Sequence, residues 1–388
     1  MATRRPPNRK EMIRETAAAL FVERGYRNVS VTDVARALDI SPSALYHHYR
    51  NKQDLLLQTV LDGLGQVDAR VKAADSLDAA LQSLAQFVVG GPRGLLAVWD
   101  REARHLDGEA RATITAAEAG IVADFLPLLN AARPGLDSDD ASLVAAAVFG
   151  ALGSQSSHRL SVSRRRDEQI THRFGTVLAH CPLPPRPPRA PAAPDTGTLP
   201  LPGLRRSRRD QILAEAIRLF DEHGYQSVTM ADIGSAVGIV ASGVYRHFAG
   251  KTDILVAAAN RGGERIRTAT EEAVTGARDP RDALDRLLRA HIAVALDQAH
   301  LVALLAHERD QLPDKERTDL RRFQVDYLAL WVAALDAVAP GRSTTELKMI
   351  VHAVHAMVSF VVRSPRVRRQ NGLEEPLQVL GTALLLAE

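Results

Sequence analysis

The chain has 388 residues, of which 46% are hydrophobic and 24% charged, with a formal net charge of +3; this predicts two or three domains and excludes wholesale disorder. Its single cysteine, Cys181, excludes an internal disulfide framework and a cysteine-only metal site, and suits a reducing cytoplasm. With aromatics at 4% and the apolar mass in Ala, Leu and Val, helices are favoured over strands; no unbroken apolar run approaches the roughly 20 residues of a membrane span, and Met1–Lys10 lacks the apolar region of a secretory signal.

In chain order, the first predicted helix carries Ile13, Ala17, Leu20 and Phe21 on one face and stops at Gly25. Ser30, with Asp33 three residues on, has the capping-box pattern for a short second helix through Val34, Ala35 and Leu38. After a turn at Asp39-Ile40, Ser41 can cap and Pro42 can open a third helix, predicted over Ser43–Tyr49. Helix, short helix, tight turn, short helix is the outline of a helix-turn-helix module. Small residues at the start of the third helix, Ser43 and Ala44, would let it approach base edges; Tyr46 and His47 face outward, Leu45 and Tyr49 inward. Lys52 opens the next helix, where an ammonium can meet a phosphate.

Residues 57–181 read as the helical remainder of the first half. Pro182–Gly203, with nine prolines in 22 residues, reads as a semi-rigid polyproline spacer within a linker over 182–204. The first module then returns: Arg9–Leu56 aligns without a gap on Arg208–Leu255 at an offset of 199, with 18 identities in 48 pairs. The counterpart reading residues are Ser242, Gly243, Tyr245 and Arg246, with Val244 and Phe248 inward and Lys251 opening the next helix. A weaker echo sets Arg101–Arg111 on His307–Arg317 at an offset of 206, so the duplication extends beyond the N-terminal segment of each half. The predicted domains are 1–56, 57–181, 182–204 (linker), 205–255 and 256–388.

Charge follows the repeat. Residues 1–56 hold ten Lys/Arg against six Asp/Glu, residues 205–255 seven against six, and the remainder 32 against 34. The excess sits in two arms at matching positions, Arg4, Arg5, Arg9 and Lys10, then Arg205, Arg206, Arg208 and Arg209, which suits phosphate or minor-groove contact.

Phe-x-x-x-Gly-Tyr, then Val-Ser/Thr-x-x-Asp-Val/Ile-Ala/Gly, then Ser-x-x-Tyr-x-His-Tyr/Phe-x-x-Lys-x-Asp-Leu/Ile-Leu, present in both copies, resembles the N-terminal signature of the TetR family of bacterial repressors. The whole chain looks like a single-chain tandem member of that family, of the kind found in actinobacteria. The resemblance implies an all-α fold of two tandem units, each a helix-turn-helix domain followed by a helical ligand-binding and dimerisation domain. It implies double-stranded operator DNA as partner, read by Thr32, Ser41, Ser43, Ala44, Tyr46, His47 and Lys52, by Ser242, Gly243, Tyr245, Arg246 and Lys251, and by the two arms. The copies depart from the pattern differently. Asp39 stands where Gly is common, and Val240 and Ala241 replace Ser41 and Pro42, which costs the second recognition helix a cap worth about 1 kcal/mol.

Family members pair through their last two long helices, here Ser138–Leu160 with Arg165–Ala179, and Ser343–Arg363 with Glu374–Leu386. An intramolecular pseudo-dimer on an operator with two non-identical half-sites is therefore expected, and a further homodimer is also compatible. The effector implied by the resemblance is an acyl-CoA or another lipid-derived molecule, with Trp99, Glu102, Arg104 and His105 in the first half and His307, Glu308, Trp331, His352 and His355 in the second as candidate contacts. A constitutive or architectural DNA-binding protein without effector is the alternative. No Gly-x-Gly-x-x-Gly, Gly-x-Ser-x-Gly or Walker loop is present, so neither an enzyme nor a cofactor is expected, and no ligand set for a metal is seen.

Overall fold

The computed structural model describes residues 9–91, 98–99, 102–103, 106, 108–156, 158, 160, 162–185 and 207–387. The described residues form helices and turns without a strand, in two compact units, Met1–His180 and Cys181–Glu388. Most of the linker therefore lies outside the described residues.

The first unit opens with α1 (Arg9–Arg24), α2 (Val31–Ala37) and α3 (Pro42–Tyr46). Ile13, Ala17, Leu20 and Phe21 of α1 are buried, and Gly25, at φ 81°, turns the chain out of the helix so that Tyr26 folds back with its ring 5.3 Å from that of Phe21. The Ser30–Asp33 capping box is complete, with the Ser30 N–H donating to Asp33 at 2.8 Å and the Asp33 N–H to Ser30 Oγ at 3.1 Å. Asp39 turns between α2 and α3 at φ 52°, the left-handed region that Asp tolerates. The third helix is shorter than expected: it ends at Tyr46, and a turn in which His48 and Tyr49 both donate to the Leu45 carbonyl brings Tyr49 into the core.

The long α4 (Lys52–Ala73) leaves this head and enters a body made with α5 (Leu77–Gly90), α6 (Gly108–Ala132), α7 (Ser138–Gly153) and α8 (Arg164–His180). Ile114, Ile121, Phe125 and Leu129 give α6 a buried stripe at helical spacing, and α7 is apolar and buried nearly all round.

The second unit repeats the plan with α9 (Arg208–His223), α10 (Met230–Ala236), α11 (Ala241–Tyr245) and α12 (Lys251–Thr275). Gly224 at φ 84° and Gly238 at φ 70° stand at the positions of Gly25 and Asp39. Its body comprises α13 (Pro280–Asp297), α14 (Ala299–Glu308), α15 (Asp314–Val338), α16 (Thr344–Arg363), the single turn α17 (Pro365–Arg368) and α18 (Glu374–Leu386). Leu301, Leu304 and Leu312 of the body join the core of this head, making head and body one packed unit.

The 206-residue offset persists here, since α6 and α15 begin and end at equivalent positions and Asp137 and Ser343 cap equivalent helices. Length and composition qualify α6 and α16 as able to cross a membrane, which corrects the reading from unbroken apolar runs. Asp124 and Lys348 interrupt those runs without removing their mean apolarity.

Candidate nucleic-acid interface and regulatory sites

Each head anchors its third helix by one face and leaves the other in water. Leu45 and Tyr49 in the first head, and Val244 and Phe248 in the second, are buried, whereas Tyr46 and Tyr245 each keep 54% of their surface exposed. An aromatic ring held outward at the same place in both copies points to a contact outside the fold. His47 and Arg246 follow at the C-caps, exposed, and Ser43, Ser242 and Thr32 are exposed as well, while Ala44 and Gly243 are half-buried. Ser41 Oγ accepts the Ala44 N–H at 3.2 Å and lies 3.0 Å from Ser43 Oγ, so the first helix is capped. At the second, Val240 offers no side-chain cap and is 73% exposed, yet the helix forms with the Gly243 N–H donating to the Val240 carbonyl at 2.8 Å.

Of the basic arms, Arg4, Arg5, Arg205 and Arg206 lie outside the described residues. Arg9 and Lys10 open α1, and the Lys10 carbonyl accepts the Tyr49 hydroxyl at 3.3 Å. Arg208 donates to Gln211 at 2.9 Å and to the Val237 carbonyl at 3.2 Å, and the Arg209 guanidinium lies 4.3 Å over the Phe248 ring. Arg208 is thus held beside the turn that precedes the third helix, and Arg209 against the turn that follows it.

Lys52 and Lys251 carry a constraint that spacing did not reveal. Lys52 Nζ sits 4.1 Å over the Tyr26 ring and donates to the Arg27 carbonyl at 3.5 Å. Lys251 Nζ sits 4.8 Å over the Tyr225 ring and donates to the carbonyls of Tyr225 and Gln226 at 2.7 and 3.1 Å. Burial lowers the pKa of both ammoniums, while Glu102 supports the charge of the first and Glu308 that of the second. Both carboxylates are buried, and Glu102 Oε2 accepts the Tyr26 backbone N–H at 3.1 Å. Glu102 and Glu308, candidate effector contacts, face the heads, because the residues after Gly25 and Gly224 bring the tyrosine, its backbone and the lysine against the body. Both ammoniums are thus fixed in place by a ring and by backbone carbonyls. His300 adds a further joint in the second unit, its Nδ1 lying 2.7 Å from Asp221 Oδ2.

Arg104 and His105 lie outside the described residues, and His307 stands on α14. Trp99 donates its indole N–H to Glu118 at 2.7 Å. In the second body Trp331 is fully buried and packs edge-on to His355, with ring centres 4.8 Å apart. His355 stacks on His291 at 4.5 Å and on Tyr327 at 5.4 Å, and the Tyr327 hydroxyl and His291 Nδ1 share a 3.1 Å hydrogen bond. His352 lies one turn away on α16, where burial and the nearby Lys348 lower its pKa. Burial pushes His291 down to about 4 and His355 well below the usual histidine value, so both imidazoles are neutral. Local spacing gives no sign of His291 or Tyr327; the repeat at an offset of 206, which sets the polar Tyr327 against Ile121, is the one signal the sequence carries for the latter. Among the described residues no group of three or more His, Cys, Asp or Glu is placed to hold a metal.

Residues 13–59 and 212–258 match the sequence profile described as bacterial regulatory proteins, tetR family. The chain is similar to the HTH-type transcriptional repressor KstR2 of Rhodococcus jostii, 28% identical over 141 residues that cover 34% of this chain and 66% of that protein. It is similar to the HTH-type transcriptional regulator TcmR of Streptomyces glaucescens, 28% identical over 146 residues, 34% of this chain and 62% of that one. The match thus spans a little under two thirds of the length of these relatives. Among solved structures, the ketosteroid transcriptional regulator KstR2 of Mycobacterium tuberculosis superposes with a TM-score of 0.40 at 20% identity, over 46% of this chain and 92% of that one.

Proposed function

The chain belongs to the tetR family of bacterial regulatory proteins, with the family's DNA-binding module present twice, and from that premise we propose that it is a ligand-released repressor whose two heads act as an intramolecular pseudo-dimer. The observation that carries the DNA-reading half is the outward presentation of Tyr46 and Tyr245, on helices whose opposite faces are locked by Leu45 with Tyr49 and by Val244 with Phe248. The proposed reading set is Ser43, Ala44, Tyr46 and His47 against Ser242, Gly243, Tyr245 and Arg246. Thr32, Ser41, Lys52, Lys251 and the basic arms take the backbone. Such a protein works in the cytoplasm, where bacterial DNA lies.

The heads differ where base choice is made. Arg246 can be bidentate to a guanine, whereas His47 at the equivalent place cannot. The operator therefore has two unequal half-sites. Release follows when a small lipid-derived molecule, acyl-CoA esters among the candidates, binds a body and shifts its head through the Glu102–Tyr26–Lys52 and Glu308–Tyr225–Lys251 joints.

Selection of the purified full-length chain against a randomised duplex pool tests this reading. A two-part motif with unequal halves is expected, and Arg246→Ala should relax preference in one half alone, by about 1–3 kcal/mol. A strict palindrome would assign binding to two chains using one dominant head.

A further inference from the structure

The two bodies share one plan but not one lining. At the 206-residue offset, Tyr327, Trp331 and His355 correspond to Ile121, Phe125 and Phe149, and the register of the caps Ser76 and Asp279 sets His291 against Val88. The edge contact of Trp331 with His355 has its apolar counterpart in Phe125 with Phe149, ring centres 5.1 Å apart. The fold thus packs this place with hydrocarbon in the first unit and with two imidazoles, a phenol and an indole in the second. Scaffold stability alone does not call for that polarity.

Two further features single out the second cluster. His355 Nε2 is buried without a hydrogen-bond partner, although buried polar atoms are nearly always paired, while the Trp331 indole interacts with the Tyr327 hydroxyl. His291, Tyr327 and His355 keep part of their accessible surface even though protein encloses both imidazoles tightly enough to hold them neutral. Phe323 extends the aromatic cluster, its ring stacking on Tyr327 with centres 6.0 Å apart.

We propose that the second body alone carries a ligand chamber, one per chain, and that it takes a neutral, flat, ring-bearing molecule with a carbonyl or hydroxyl oxygen. Stacked aromatic walls favour a flat ring. A neutral imidazole whose Nε2 has no partner offers a hydrogen bond to an uncharged oxygen or hydroxyl. None of the four side chains, His291, Tyr327, Trp331 and His355, carries a permanent charge, which favours an uncharged ligand over a phosphate-bearing thioester. The proposal rests on the reading of the chain as a ligand-responsive regulator and narrows its effector class.

The test is calorimetric titration of the full chain, without DNA, using 1-tetralone, its oxygen-free analogue tetralin, and decanoyl-CoA. One tetralone per chain is expected, bound at least about tenfold more tightly than tetralin, because a polar site rejects an analogue that leaves its groups unpaired. His355→Phe, which installs the residue the first body carries, should abolish that preference, and Trp331 emission should respond to tetralone in the unaltered chain only. Tyr327→Phe serves as a second, milder variant; melting curves and ligand-free operator binding verify that both variants are folded. Equal binding of tetralin, two sites per chain, or His355-dependent binding of decanoyl-CoA in preference to tetralone would each overturn the proposal. A parallel operator-release assay separates this from the regulatory reading. Tetralone bound with DNA retained would sink ligand release and leave the chamber standing; release by decanoyl-CoA without tetralone binding would do the reverse.

Discussion

Tyr26 shows how one residue can link a head to its body. Its ring closes the α1 core against Phe21, its face carries the Lys52 ammonium, and its backbone N–H enters a buried carboxylate. Removing that carboxylate with Glu102→Ala strands a buried donor, at a cost of about 1–3 kcal/mol. For a unit of this size the melting point should fall by roughly 2–4 °C per kcal/mol, which differential scanning calorimetry reads directly. An unchanged melt would mean that water or another group replaces the carboxylate. His291 makes a second prediction at this scale. Its folded pKa is about 4 against the model-compound 6.5, so between those values the unfolded chain binds a proton that the folded chain refuses. The associated stability is complete above pH 6.5 and is lost as pH falls toward 4, by up to about 3 kcal/mol at roughly 1.4 kcal/mol per pH unit. Melting temperatures between pH 7.5 and 4.5 should therefore drop more steeply in the unaltered chain than in His291→Phe, and equal slopes would contradict the assignment.

The two recognition helices are a natural pair for an experiment on elements. Both have five residues and the same buried anchor positions, but Ser41 caps the first while Val240 leaves the second uncapped. Val240→Ser should stabilise the second head by about 1 kcal/mol and slow exchange of the Gly243 amide, while Ser41→Ala should cost the first head a similar amount. Amide exchange measured by mass spectrometry on peptides spanning 238–248 and 39–49 checks both changes; no change at 238–248 would mean that packing of Val244 already fixes the helix. Elements of this kind were legible in the sequence because their signals are local: Gly25, the Ser30–Asp33 box, Pro42, and an anchor pair four residues apart. The length of the third helix was not legible, since its end is set by Tyr49 turning into the core rather than by a breaker residue. The aromatic cluster was hidden for a related reason. His291, Tyr327, Trp331 and His355 come from three helices, the first and last of these residues 64 positions apart, and nothing in a local window announces that they meet. Glu102 and Glu308 could be noticed as echoing acids, but only the fold shows that they face the heads.

Joining two heads in one chain changes the thermodynamics of reading DNA without any new contact. Once one head is bound, the other is held near its half-site at an effective concentration set by the tether, so its capture no longer depends on protein concentration. The segment Pro182–Gly203, with nine prolines, is suited to that role because proline-rich chain is stiff and keeps its span. Cutting it at an introduced protease site should therefore lower affinity for the two-part operator by about 10²–10⁴-fold at nanomolar protein, while single half-site affinity stays the same. The comparison must be made at one fixed salt concentration, since the phosphate contacts of both heads are salt-dependent. Equal affinity before and after cleavage would mean that the two units hold together without the tether, or that a single head accounts for binding. Repeating the titration over tenfold higher protein separates these: recovery of affinity with concentration belongs to re-association, and indifference to concentration belongs to the single head.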